Sequence, residues 1–393
     1  MDKEKLKLFL KERENFFLIL LVVFTVLFRF YYFLKLGNQP IWWDEGDYLA
    51  ISKVWALGQE TPVWWGHFTG MRPLLMPIIW AGFFKFGLDE LSIRFFTLLL
   101  PSLIVIYLTY LLGKDLYDKK IGLIAGVMMS VYWVFFFYSF RLLTDIPSVF
   151  FGMLSFYFFW GGYLKKQKNK GLYFAILFGV FAFSARFPLA LVLITCFFYL
   201  FFIRKFSIFK DKVIWKSLGL LILFLSPYLI YFISTKFYLF QFYFGESAVS
   251  MKQPIAWYII PMVGSFLHSF WLVSFLVGII TLTPLIFGFD IFWKRKNNLL
   301  DADFFVVLWL VIHLIFYIII FKAANDRWLL MMMPPIFFIA SKGIIFVYDK
   351  TKEYSKELAM VFLVILLFGG AYQNLQHSID LTEIKKTTYN EVK

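Results

Sequence analysis

GLYFAILFGVFAFSARFPLALVLITCFFYLFFI, residues 171–203, is the stretch on which the fold turns. A full crossing of a bilayer needs about 20 apolar residues. The stretch therefore reads either as one helix broken around Ser184 to Pro188 or as two short crossings, 171–185 and 187–203. The basic residues elsewhere decide between them. Further apolar spans lie near 16–36, 92–112, 121–140, 146–164, 213–233, 262–289, 303–321, 328–348 and 357–372. With two crossings and a cytoplasmic N-terminus, the inside segments are 1–15, 113–120, 165–170, 204–212, 290–302 and 349–356. Lys165, Lys166, Lys168 and Lys170, then Arg204, Lys205, Lys210 and Lys212, then Lys294, Arg295 and Lys296 all fall inside, as the positive-inside bias requires. Merging the pair puts later clusters on the wrong side.

The expectation is an all-α polytopic membrane protein with about eleven transmembrane helices. One transmembrane domain covers 1–372, with long external loops at 37–91 and 234–261 and an external polar tail at 373–393. Composition agrees: 61% hydrophobic residues, 54 Phe and a mean hydropathy of +0.75 are outside the range of a soluble domain. The net charge of +14 comes from short clusters between spans, with no long basic face, which argues for topology and against nucleic acid as a partner. Residues 1–15 are too charged, and the first span too long, for a cleaved signal, so this span should stay as an anchor. The single Cys196 lies in an apolar run and reads as packing. No P-loop, G-x-G-x-x-G, H-E-x-x-H or short-period repeat is present.

The charges of interest gather on the external side. Trp42-Trp43-Asp44-Glu45-Gly46-Asp47 places three carboxylates just beyond the first span, where ionisable groups usually have a function. In the same loop Tyr48–Leu57 and Leu74–Phe86 have helical spacing and are too short to span; both read as helices lying on the surface. Arg72, Lys85, Arg94, Arg141, Arg186, Lys322 and Arg327 supply cations at or near this face. Each residue has a plainer reading. Asp44 and Glu45 could cap the surface helix. Asp145 could pair with Arg141 or cap its own span. Arg72 and Arg94 could snorkel to headgroups, which is the preferred account of Arg94. His67 reads as a lone polar loop residue, and His268 and His313 as interhelical hydrogen bonders.

The order of these blocks carries a resemblance. Trp42-Trp43-Asp44-Glu45 after the first span, Arg72-Pro73-Leu74-Leu75 opening a short helix that ends at Phe86-Gly87, and Ser92-Ile93-Arg94 entering the second span form the first part. Lys119 to Gly126, Tyr138 to Asp145, and the later Asp326-Arg327-Trp328 with Pro334-Pro335 follow. Together they resemble the dolichyl-phosphate-mannose protein mannosyltransferase-like and aminoarabinose-transferase-like family of the C-type glycosyltransferase (GT-C) superfamily. The resemblance implies a polyprenyl-phosphate-linked sugar as donor, membrane lipid around it, and an acceptor on the external side of the cell membrane. Two features depart from the family. Arg186-Phe187-Pro188 stands where many relatives have a Lys-Gly pair, and the large C-terminal domain of some relatives is missing.

Chemistry assigns roles within that frame. Sugar transfer needs a base for the acceptor proton and cations for the departing phosphate. Asp44 is taken first as base, then Glu45 and Asp47, with Asp145 in the same catalytic set. Arg186 and Arg327, then Arg141 and Lys85, are assigned to the donor phosphate. Arg72 and His67, with Tyr243 and Glu246 of a lid-like loop at 237–254, are assigned to the acceptor side. No cofactor or metal is expected, although Asp44, Glu45 and Asp145 are the oxygen ligands that would serve a divalent ion. The alternatives are a transporter, which should carry mid-membrane charges in two repeated halves, and a non-catalytic lipid-binding protein.

Overall fold

A computed structural model describes residues 13–37, 39–41, 43–58, 72–234, 255–282, 301–321 and 326–390. Within these the regular elements are helices. In lipid a chain satisfies its own N–H and C=O groups most simply by winding them into helices. Helix α1 is Arg13–Leu36, α2 Trp43–Leu57, α3 Leu75–Lys85, α4 Glu90–Leu116, α5 Lys119–Val131, α6 Trp133–Tyr138 and α7 Asp145–Tyr157. Then come α8 Asn169–Ala185, α9 Ala190–Arg204, α10 Lys212–Ser234, α11 Ile255–Thr281 and α12 Ala302–Ile315. A 3₁₀ turn at Asp326–Met332 leads into α13 Met333–Lys352, followed by α14 Lys356–Val364 and α15 Gly370–Asn390. Chain reversals are marked by side-chain caps: Asp89, Asp118, Asp301 and Ser355 accept from the backbone N–H three residues on.

Among the described residues, seven helices are long and apolar enough to cross a membrane: Glu14–Leu36, Glu90–Leu116, Phe187–Lys210, Lys212–Ile230, Ala302–Ile320, Asp326–Lys352 and Lys356–Leu381. Leu75–Lys85, Asn169–Ala185 and Leu267–Thr281 are shorter apolar helices. This is an integral, multi-pass membrane protein.

The stretch 171–203 folds as α8 and α9, joined by a 3₁₀ turn at Phe187–Leu189. A Cβ added to Gly179 would lie 2.4 Å from Leu193 Cδ2, so residues that a straight helix would hold about 21 Å apart are in contact. The chain therefore doubles back at Arg186. Elsewhere the expected spans are altered. The expected span 121–140 is interrupted at Tyr132, whose extended backbone separates α5 from α6. The expected tail from Gln373 instead continues the last span as helix to Asn390.

Close backbone approach sets the packing of α11 on α13. A Cβ on Gly343 would fall 1.9 Å from Ser274 O, and one on Gly278 would fall 2.0 Å from Ile339 O. Small residues at these two positions permit that approach. The core runs through the middle of the bundle, where Phe135, Phe136, Phe156, Phe159, Trp271 and Trp309 are all fully buried. The two short helices expected in the first loop are present and pack on each other. α3 is more than a surface helix: Trp80 is completely buried and donates to Thr97 on α4 at 3.1 Å. Its anchoring fixes Arg72, just before α3, against the start of α2.

Candidate active site

Adjacent residues on a helix point about 100° apart, whereas residues three apart share a face. In the first turn of α2 this sends Asp44 and Asp47 to one side and Glu45 to another. The two Asp carboxylates meet the same guanidinium: Arg72 Nη2 lies 2.8 Å from Asp44 Oδ1 and 2.6 Å from Asp47 Oδ2. The second oxygen of Asp44 accepts from Arg327 Nη2 at 2.6 Å, across 283 positions of sequence. Arg327 Nη1 stands 4.0 Å from Asp145 Oδ2, and Asp145 also pairs with Arg186 at the α8–α9 reversal. Asp47, Arg72, Asp44, Arg327, Asp145 and Arg186 thus form an alternating chain of three carboxylates and three guanidiniums.

Exposure along the chain is highest at Asp44 and lowest at Asp145. Side-chain exposure is 27% for Asp44 and 19% for Arg327, but 2% for Asp145. Burial pushes the Asp44 carboxyl toward a higher pKa, but Arg327 and Arg72 outweigh it and hold the group below the ordinary aspartate value. Asp44 is therefore ionised at neutral pH. Arg327 is itself positioned: Asp326 accepts from the Arg327 backbone N–H at 2.8 Å and from the Tyr138 hydroxyl at 2.9 Å. Arg72 also lies over the Tyr48 ring, 5.4 Å from its centroid.

Glu45 faces the opposite way and is fully buried. Its Oε1 accepts from the Leu142 backbone N–H at 2.5 Å, Arg141 Nη1 is 3.4 Å from Oε2, and Arg94 Nη1 is 3.8 Å from Oε1. Arg94 donates to Phe140 O and Arg141 to Pro40 O, while Gln39 also reaches Phe140 O. This clasp ties residues 39–45 to the 140–142 turn. It corrects the expectation for Arg94, which is 3% exposed and does not snorkel. Asp145 is paired with Arg186, rather than with Arg141 as the plainer reading had it.

Of the expected site residues, the fold joins Asp44, Asp145, Arg72, Arg186 and Arg327. Arg141 belongs to the Glu45 clasp. Lys85 is exposed at the opposite end of α3 from Arg72, about 15 Å along the helix. His67, Tyr243, Glu246, the 237–254 loop and Lys322 lie outside the described residues. His313 bonds Trp309 O within its own helix, not a neighbouring one. Among the described residues, no group of three His, Cys, Asp or Glu side chains is placed to hold a metal ion.

Arg29 was missed in the sequence. It is fully buried within α1, donates to Ser139 Oγ at 2.6 Å and Ser130 O at 3.2 Å, and lies against the Phe135 and Phe136 rings. It ties the last turn of α5 to the residue that ends α6, across the break at Tyr132 and just ahead of Arg141 and Asp145. An Arg interrupting an apolar span was the available signal.

Residues 71–231 match the family model described as dolichyl-phosphate-mannose-protein mannosyltransferase. An uncharacterized protein of Aquifex aeolicus is 26% identical over 364 residues, which is 88% of this chain and 67% of that protein. Among solved structures, apo ArnT from Cupriavidus metallidurans superposes with a TM-score of 0.59 at 13% identity, covering 94% of this chain and 75% of ArnT. ArnT bound to undecaprenyl phosphate gives 0.58. The oligosaccharyltransferase AglB from Archaeoglobus fulgidus, in complex with an inhibitory peptide and a dolichol-phosphate, also gives 0.58 at 12% identity; this chain covers 56% of its length. The chain shares the GT-C fold of these structures.

Proposed function

We propose that this protein is a membrane glycosyltransferase that moves one sugar from a polyprenyl phosphate to an extracytoplasmic acceptor. The observation that carries the reading is the double clamp on Asp44, a carboxylate held between Arg72 and Arg327 at 2.8 and 2.6 Å. A base for the acceptor proton and two cations for a phosphate stand within one chain of ion pairs. The family match and the lipid phosphates in the ArnT and AglB structures support the donor class.

In this mechanism the donor phosphate draws Arg327 and Arg186 to itself, since a planar guanidinium can donate two parallel hydrogen bonds to phosphate. Asp44 then loses part of what holds its proton affinity down. The acceptor oxygen attacks the anomeric carbon, its proton passes to Asp44, and the bond from that carbon to the phosphate oxygen breaks. Polyprenyl phosphate leaves with the extra negative charge facing the arginines. A direct displacement inverts the anomeric centre. Glu45 acts here by fixing the start of α2 rather than by touching substrate, and Asp145 by orienting Arg186 and Arg327. The cytoplasmic N-terminus and external active site belong to the same proposal, resting on the Lys and Arg distribution.

Anomeric configuration of the product, read by NMR, tests the displacement. Inversion is expected; net retention would replace Asp44 as base with a covalent or two-step route.

A further inference from the structure

A second polar centre lies at the other end of α6 from the Tyr138–Asp326 contact. There the Trp133 ring stacks on His377 of α15, with centroids 4.4 Å apart and planes 5° from parallel, and His377 meets His268 of α11 at 5.3 Å. A cavity of about 500 Å³ opens beside the two imidazoles, lined also by Tyr372, Gln373, Gln376 and Asp380. That volume lies within the range of small-molecule sites.

Two observations show that the cavity is more than a gap between helices. His268 forms the kink between the two helical halves of α11, with φ 54° and ψ 167°, a positive-φ conformation that non-glycine residues adopt only when their surroundings impose it. His268 Nε2 and Gln373 Oε1 are buried with no hydrogen-bond partner. Unmet polar atoms among apolar helices are costly, and a ligand that both donates and accepts would satisfy them.

The lining selects the ligand class. Among the described residues the lining contains no Lys or Arg and does contain the Asp380 carboxylate, which accepts from Gln376 at 2.8 Å; this lining disfavours an anion such as a lipid phosphate. An apolar chain would leave the imidazole and amide atoms unmet. Hydroxyl groups answer both requirements. We infer that this cavity binds a neutral, hydroxyl-rich saccharide, the part of the acceptor that extends away from the reacting hydroxyl. The inference rests on the transferase reading for the word acceptor, but not for the saccharide. α6 links the two centres: Trp133 backs this cavity, and Tyr138, five residues on, holds Asp326 beside Arg327.

The test uses wild-type protein in detergent with two probes: neutral glycans released from the native envelope, and polyprenyl phosphate. Diethyl pyrocarbonate modification of His377 is followed by mass spectrometry, with buried His313 as the control for unfolding. The glycans should slow modification at least fivefold, and polyprenyl phosphate should not. No protection by glycan, or equal protection by the lipid, overturns the site. A kinetic arm uses Gln373→Leu and His377→Phe, which should raise the acceptor KM about tenfold with a smaller effect on kcat; an equal rise in donor KM would count against the assignment. Glycan protection in a protein that transfers no sugar would keep the saccharide site and sink the transferase reading.

Discussion

Asp44 and Glu45 are neighbours in sequence and opposites in the fold. Asp44 is partly exposed and bonded to two cations that solvent can reach, whereas Glu45 is sealed and bonded to two cations and a backbone N–H that solvent barely touches. One step along the helix, about 100° of rotation, separates a carboxylate whose partners can be exchanged for a ligand from one whose partners cannot. Ion pairs at a wet site cost little to rearrange, while a buried charge that loses its partner has nowhere to go. In the proposed mechanism the same residue types thus serve chemistry on one face of α2 and architecture on the other.

Breaking the sealed side should have the larger effect on folding. Glu45→Ala leaves Arg94 and Arg141 buried without their carboxylate, a loss of about 3–5 kcal/mol, and thermal unfolding in detergent should show a markedly lower midpoint. A Glu45→Ala protein that melts with wild type would erase the distinction. On the exposed side, Arg327→Ala should leave the melting midpoint near that of wild type and weaken polyprenyl phosphate binding about 10–100-fold, the range for a lost charge-assisted hydrogen bond. Titration calorimetry or native mass spectrometry reads this directly.

The comparison can be sharpened by pH. Arg327 and Arg72 depress the Asp44 pKa against the upward push of burial. A carboxylate with a depressed pKa stays ionised until pH falls below the ordinary aspartate range, and the stability it contributes is lost only as pH falls through that lowered value. The acid limb of wild-type activity should therefore lie below the ordinary aspartate value. Arg72→Ala removes one depressing charge, so its limb should move up. An unmoved limb would mean that another group controls it. The smallest effect is expected at Lys85, exposed at the far end of α3: Lys85→Ala should keep donor KM within about twofold.

Much of this was legible in the sequence because it depends on composition and spacing. The hairpin at Arg186 followed from charge placement, and a helix was expected over Tyr48–Leu57, although α2 begins five residues earlier, at Trp43. What stayed hidden depends on direction. Alternation of charge cannot reveal that Arg141 turns to Glu45 while Arg186 takes Asp145, because partners 40 to 280 positions apart are set by how helices pack. Arg94 looked like a headgroup contact because entry into a span predicts snorkelling; the 140–142 turn covering it is not visible in the local pattern. Tyr132 breaks its span with no proline or glycine beside it, and Arg29 spans the break from another helix.

The most direct measurement is sugar transfer from a panel of radiolabelled polyprenyl-phosphate sugars by purified wild type and Asp44→Asn, in membranes carrying the native acceptors. Transfer by wild type with at least one donor, reduced about 10²–10⁴-fold in a folded Asp44→Asn protein, is the predicted result. Equal transfer by the two proteins would remove Asp44 from the chemistry. No transfer from any donor, by folded wild type that binds none of these lipids, would contradict the transferase assignment itself.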